Sequence, residues 1–222
     1  MTVQRLALAL SLALFTATPV ALASDHSKVN GSIDIAAAEV AGDVDTVNGS
    51  IGIGAGARIE DAETVNGGIE VGDDVHASSL STVNGGIQIG TGLQLDGDIE
   101  SVNGGIFVDR GSKIRGGIET VNGSIGLVGT EVIGDIETVT ADLTVGADSH
   151  VHGGIHYEKP QQSWLSFSKR DPRVIIGPNA RVDGALVFER DVELYVHESA
   201  KIGPVTGATA VPYKGDRAPR AD

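Results

Sequence analysis

Six times in this chain the residues Val-Asn-Gly are followed by Ser or Gly and then Ile. The copies begin at Val29, Val47, Val65, Val83, Val102 and Val121, and a degenerate seventh is Val139-Thr140-Ala141-Asp142-Leu143. Successive copies are 18, 18, 18, 19, 19 and 18 residues apart. This repeat constrains the fold more than any other feature. A unit so short cannot bury its own apolar side, so it must stack on its copies.

The spacing of apolar residues inside one repeat decides between helix and strand. Ile87 and Ile89, or Ile106 and Val108, are two apart and mostly β-branched, which is the pattern of a short strand. Glycine recurs in every repeat and would break a helix each time. Each repeat therefore predicts about three short strands joined at corners rich in Gly, Asn and Asp. The expected fold is all-β: a single-stranded parallel β-helix, roughly triangular, with 18–19 residues per coil. The handedness of parallel crossovers favours right-handed winding. Seven coils at about 4.8 Å each make a rod of roughly 34 Å. Two inward columns are expected: Val47, Val65, Val83, Val102 and Val121 in one, and Ile51, Ile69, Ile87, Ile106 and Ile125 in the other. Small branched side chains suit a narrow core, in keeping with an aromatic content of only 4%.

Two polar rows follow from the same register. Asn30, Asn48, Asn66, Asn84, Asn103 and Asn122 fall one above another, and their amides predict a structural ladder along one corner. The Gly after each Asn is expected to supply a positive φ. Two residues before each Val stand Asp45, Glu63, Ser81, Glu100, Glu119 and Glu137. Carboxylates stacked about 5 Å apart repel one another unless solvated or bridged by a cation such as Ca²⁺. The row reads as a solvated outer face that keeps a repetitive β surface soluble.

Five stretches of chain are distinguished. Residues 1–23 read as a secretory signal peptide: Arg5, an apolar run from Leu6 to Ala17, Pro19, and Ala21-Leu22-Ala23 as the cleavage site. The run is too short for a membrane span. The mature chain is thus expected in the periplasm, at the cell surface or in the medium, with no later span. Residues 24–157 form the repeat solenoid, and residues 158–173 interrupt it with a loop or flap. That flap holds the only Trp, Trp164, and Phe167, which read as a cover for the rod or as an interaction platform. Residues 174–203 resume the strand spacing, and 204–222, with three prolines, predict a disordered tail.

Charge and composition narrow the function. The formal net charge is −14, which argues against a nucleic-acid partner. Residues 24–157 carry 21 acids and 5 bases, and residues 158–222 carry 9 acids and 10 bases. An acidic rod with a near-neutral end is suited to head-to-tail self-association. The chain has no Cys, so disulfides and thiolate chemistry are excluded. His150, His152 and His156 lie in HVHGGIH. An H-x-H pair on a strand points both rings to one face, and with a third His or with Asp148 or Glu158 it is a candidate Zn²⁺ or Cu²⁺ site. Nothing in the sequence fixes that geometry, so neither a metal nor another cofactor is assigned.

Ile51-Gly-Ile53-Gly-Ala-Gly-Ala-Arg-Ile59 and Val174-Ile-Ile-Gly177-Pro178-Asn-Ala180-Arg-Val182-Asp-Gly184 resemble the coils of bactofilins, polymer-forming bacterial β-helix proteins. The Val-Asn-Gly repeats also resemble bacterial adhesin-type β-strand-repeat families. Together these resemblances cover about residues 29–203. The bactofilin resemblance implies a triangular right-handed β-helix and end-to-end polymers. The signal sequence departs from that cytosolic family, and neither family supplies catalytic residues. An enzyme acting on polysaccharide needs a walled cleft with paired carboxylates or a cation. Repeats that vary by one residue leave no loops to build one. No GxSxG elbow occurs, and the many Gly-x-Gly pairs precede no helix. The sequence therefore predicts an exported, non-catalytic structural, adhesive or interaction-mediating solenoid. Its candidate partners are a second copy, an envelope protein or a glycan. A carbohydrate-binding or polysaccharide-active β-helix is the alternative.

Overall fold

A computed structural model describes residues 23–159, 170–215 and 217–219. The signal segment, but for Ala23, lies outside the described residues, as do Trp164 and Phe167. The described chain winds into a parallel β-solenoid of ten turns, with three sheets forming the sides. Sheets 1 and 2 have ten strands each, and sheet 3 has seven. One coil runs Ser79–Asn84 on sheet 1, Ile87–Ile89 on sheet 2 and Gln94–Leu95 on sheet 3, then returns to sheet 1 at Ile99–Asn103. No helix among the described residues is long and apolar enough to cross a membrane.

The register follows the repeat. Asn48 pairs with Asn66, Asn66 with Asn84, and Asn84 with Asn103, one coil apart each time. Ile51, Ile69, Ile87, Ile106 and Ile125 form a buried column on sheet 2, as the sequence predicts. Val44, Ala62, Leu80, Ile99, Ile118 and Ile136 form its counterpart on sheet 1.

The expected valine column is reversed. Val47, Val65, Val83, Val102 and Val121 point outward and are 36–41% exposed. The inward neighbours are Thr46, Thr64, Thr82, Ser101 and Thr120, all buried. Strand alternation dictates this once the phase is taken from Ile99 or Leu80. Val102 then faces the same way as Glu100, two residues before it. Burial of a hydroxyl is acceptable here because it has a partner. Thr46, Thr64 and Thr82 donate from Oγ1 to the carbonyl oxygens of Gly31, Gly49 and Gly67 at 2.9–3.0 Å. The corner then interrupts the alternation, so the Ile four residues after the Val points inward.

The glycines also play a different part from the one expected. In the Val-Asn-Gly column only Gly31 and Gly123 have positive φ. The others are required by close approach. A Cβ on Gly85 would stand 1.9 Å from the Gly67 carbonyl oxygen. The left-handed corner is the one between sheets 2 and 3. Ala38, Gly56, Asp74, Gly92, Gly111, Gly129, Asp148 and Asn179 occupy it with φ of 52–76°. Gly, Asn and Asp adopt that conformation most readily.

The solenoid resumes at Arg173–Ile176, where the sequence predicts further coils, and continues past residue 203. Tyr157 pairs with Phe188, and Leu143 with Val174, so the strands on both sides of residues 158–172 lie in register with the stack. Arg173 N–H donates to Asp142 Oδ1 at 2.8 Å at the start of the strand that follows. The predicted tail from 204 instead forms strands Val205–Thr206 and Ala210–Tyr213. Tyr213 is buried, packs edge-on against His197 at 5.1 Å and anchors this final coil. Proline is tolerated there because Pro212 sits on the outermost strand, where its missing N–H interrupts no further ladder.

Candidate functional site: a histidine–carboxylate cluster and a repeated outer face

His150 and Val151 form a two-residue strand on sheet 3, flanked by Glu131–Val132 and Arg181–Val182. Val151 points into the core, so His150 and His152 both point outward. Their rings stack with centroids 3.8 Å apart. Asp183 lies beside them on the next coil. His150 Nε2 is 2.8 Å from Asp183 Oδ2, and His152 Nδ1 is 3.8 Å from the same oxygen. His152 Nε2 is 3.0 Å from Glu131 Oε1, and Lys113 Nζ donates to Glu131 Oε2 at 3.0 Å. Arg181 Nε holds the other Asp183 oxygen at 2.5 Å.

These bonds set the electrostatics. Hydrogen bonds from His150 and then Arg181 hold the Asp183 carboxyl below the ordinary Asp value. Hydrogen bonds from Lys113 and then His152 do the same for Glu131. His156 takes no part: it lies on sheet 1 opposite Glu137, with Nε2 3.5 Å from Glu189 Oε1. Asp148 is hydrogen-bonded to Asn179 at a corner, and Glu158 lines a groove on sheet 1, so neither anticipated carboxylate partners the H-x-H pair. Glu131 stands one 19-residue coil before His150 and could have been found from the repeat. Asp183 could not, because residues 158–172 break the spacing.

Sheet 1 presents a second candidate surface. Its outer side repeats a Val and an Asn in successive coils, beside an acidic position that Ser81 interrupts once. Asn48, Asn66, Asn84, Asn103 and Asn122 form one unbroken chain of hydrogen bonds, each donating from Nδ2 to the Oδ1 of the Asn one coil earlier at 2.9–3.1 Å, beginning at Asn30. Thr140 ends the ladder by donating to Asn122 Oδ1 at 2.6 Å. The valines and acids line two open grooves of about 430 and 370 Å³, the first around Asp45, Glu63 and Val65 and the second around Glu100, Glu119 and Glu137. Partial burial, and then Glu137 and Glu100 alongside, raise the Glu119 carboxyl above the ordinary Glu value. Asp45 is raised by partial burial and then by Asp43. Comparison of the chain with protein-family models, curated proteins and solved structures finds no match.

Proposed function

We propose that this chain is an exported, non-catalytic structural solenoid of the bacterial cell envelope that works by multivalent contact and self-association. The observation that carries the reading is the repetition of the outer face of sheet 1. Catalysis needs one constellation of unlike groups in a sheltered place. Here a valine and an asparagine recur in register beside a row that is acidic in every coil but that of Ser81, and the valines are left in water although the core is already filled by the row beside them. Such a surface suits a partner that is itself repetitive. The outermost strands of both ten-stranded sheets pair on one side only, which supports end-to-end addition of a second copy. The unequal distribution of acids along the chain favours head-to-tail order. The resemblance to bactofilin and adhesin-type coils points the same way.

Cell fractionation combined with electron microscopy and sedimentation of the purified mature chain tests this reading. The expected result is a processed protein in the envelope or the medium that forms end-to-end assemblies, dissociated by salt. A cytoplasmic protein, turnover of any polysaccharide, or a salt-insensitive monomer at high concentration would overturn it.

A further inference from the structure

The cluster on sheet 3 has the arrangement of a metal centre. A carboxylate only accepts hydrogen bonds, so the His152 hydrogen belongs on Nε2, facing Glu131. His152 Nδ1 stands 3.8 Å from Asp183 Oδ2, beyond direct hydrogen-bonding distance. The donor atoms of His150, His152 and Asp183 all lie within 4.8 Å of one another. Ligands of a tetrahedral zinc ion, at about 2.0–2.2 Å from the metal, stand about 3.3–3.6 Å apart. The observed 2.8 and 3.8 Å bracket that value, and binding requires the two stacked rings to turn so that their in-plane lone pairs meet at one ion.

We propose that His150, His152 and Asp183 bind one divalent transition-metal ion of the Zn²⁺ class on the outer face of sheet 3. His150 would bind through Nε2, its hydrogen moving to Nδ1, and His152 through Nδ1. The fourth position is open to solvent. Glu131 would be a positioning residue: it accepts the Nε2–H of His152 and is itself held by Lys113, the carboxylate–histidine–metal relay that orients imidazole ligands. Arg181 fixes Asp183 through Oδ1 and leaves Oδ2 for the ion. Two imidazoles and one carboxylate select zinc, copper or nickel over calcium or magnesium, which prefer all-oxygen shells.

Isothermal titration of the untagged mature chain with Zn²⁺ alone tests this site, with far-ultraviolet circular dichroism on every variant to show that the solenoid is intact. One ion per chain is expected. His150→Ala and Asp183→Asn should each weaken binding at least tenfold. Glu131→Gln should weaken it about tenfold or more while the stoichiometry stays at one. His156→Ala should leave it unchanged, and Ca²⁺ should not compete. Absence of saturable Zn²⁺ binding overturns the proposal. So does binding that is insensitive to His150→Ala and Asp183→Asn in folded variants, that is lost equally in His156→Ala, or that Ca²⁺ displaces. If only Glu131→Gln is without effect, the ligand set stands and the positioning role falls. The site does not depend on the structural reading above, and the titration is indifferent to whether the chain self-associates.

Discussion

Replacing Gly85 by Ala should damage this solenoid far more than a glycine-to-alanine change at a left-handed corner. The Gly85 backbone lies directly over Gly67 of the preceding coil. An added Cβ would fall 1.9 Å from the Gly67 oxygen and 2.4 Å from its carbonyl carbon, whereas real Cβ atoms essentially never come within 3.0 Å. The two coils would have to part locally by at least 1.1 Å. Four bonds hold them together there: Gly67 N–H to Asn84 O at 3.1 Å, Ile69 N–H to Gly86 O at 3.0 Å, Thr82 Oγ1 to Gly67 O at 2.9 Å, and Asn84 Nδ2 to Asn66 Oδ1 at 3.0 Å. Stretched by that amount, all four pass beyond hydrogen-bonding distance. At about 1 kcal/mol each, the loss is roughly 3–5 kcal/mol, among the larger effects of a single substitution. Gly56→Ala is the comparison. Gly56 has φ of +70° and open space around its added Cβ, and Ala38 occupies the same corner with φ of 60°. Its cost should be about 1 kcal/mol. Urea unfolding of the two variants, followed by circular dichroism, measures the difference. If Gly85→Ala lies within about 1 kcal/mol of the parent, or ranks below Gly56→Ala, the close-approach argument is wrong.

Three further outcomes are expected. Val83→Lys should shift stability by no more than about 0.5 kcal/mol, whereas Thr82→Lys, which buries a charge in the core, should cost more than about 4 kcal/mol or prevent folding; equal effects in urea unfolding would contradict the assigned inside and outside. Asn84→Asp replaces the donor facing Asn66 Oδ1 with a second acceptor and should lower stability by about 1 kcal/mol at pH 7, with no change in the unfolding slope. Glu119→Gln should raise stability by roughly 0.5 kcal/mol at pH 7, since partial burial and the neighbouring Glu137 and Glu100 disfavour its charge. The folded carboxyl binds its proton more tightly than the unfolded one, so this cost exists above the folded pKa and disappears as pH falls through it. Unfolding at pH 7 and pH 4 should therefore show the gain at the first pH and not at the second.

The period, the strand type and the stacking were legible in the chain because every coil repeats one short pattern, and neighbouring coils must lie in register for their backbone groups to pair. The sheet 2 isoleucines and the pairing of Asn48 with Asn66 were predicted on that basis. The orientation of the valines was legible too, but only through the residues before them. Glu100 and Val102 are two apart on one strand and must share a face, and Ile99 and Ser101 share the other.

The amino-acid sequence determined that this protein is a stack of coils about eighteen residues long, because an apolar period of that length has no other way to leave water. Only the tertiary structure decided what happens at the corners and which strands pair on either side of residues 158–172. At the corners the strand alternation is reset, a buried Thr hydroxyl finds the carbonyl of the coil before it, and glycine is demanded by the coil below. The meeting of His150, His152 and Asp183 belongs to the same class. Its members come from coils whose spacing is no longer periodic, so their adjacency is set by backbone pairing in space and is invisible to counting along the chain.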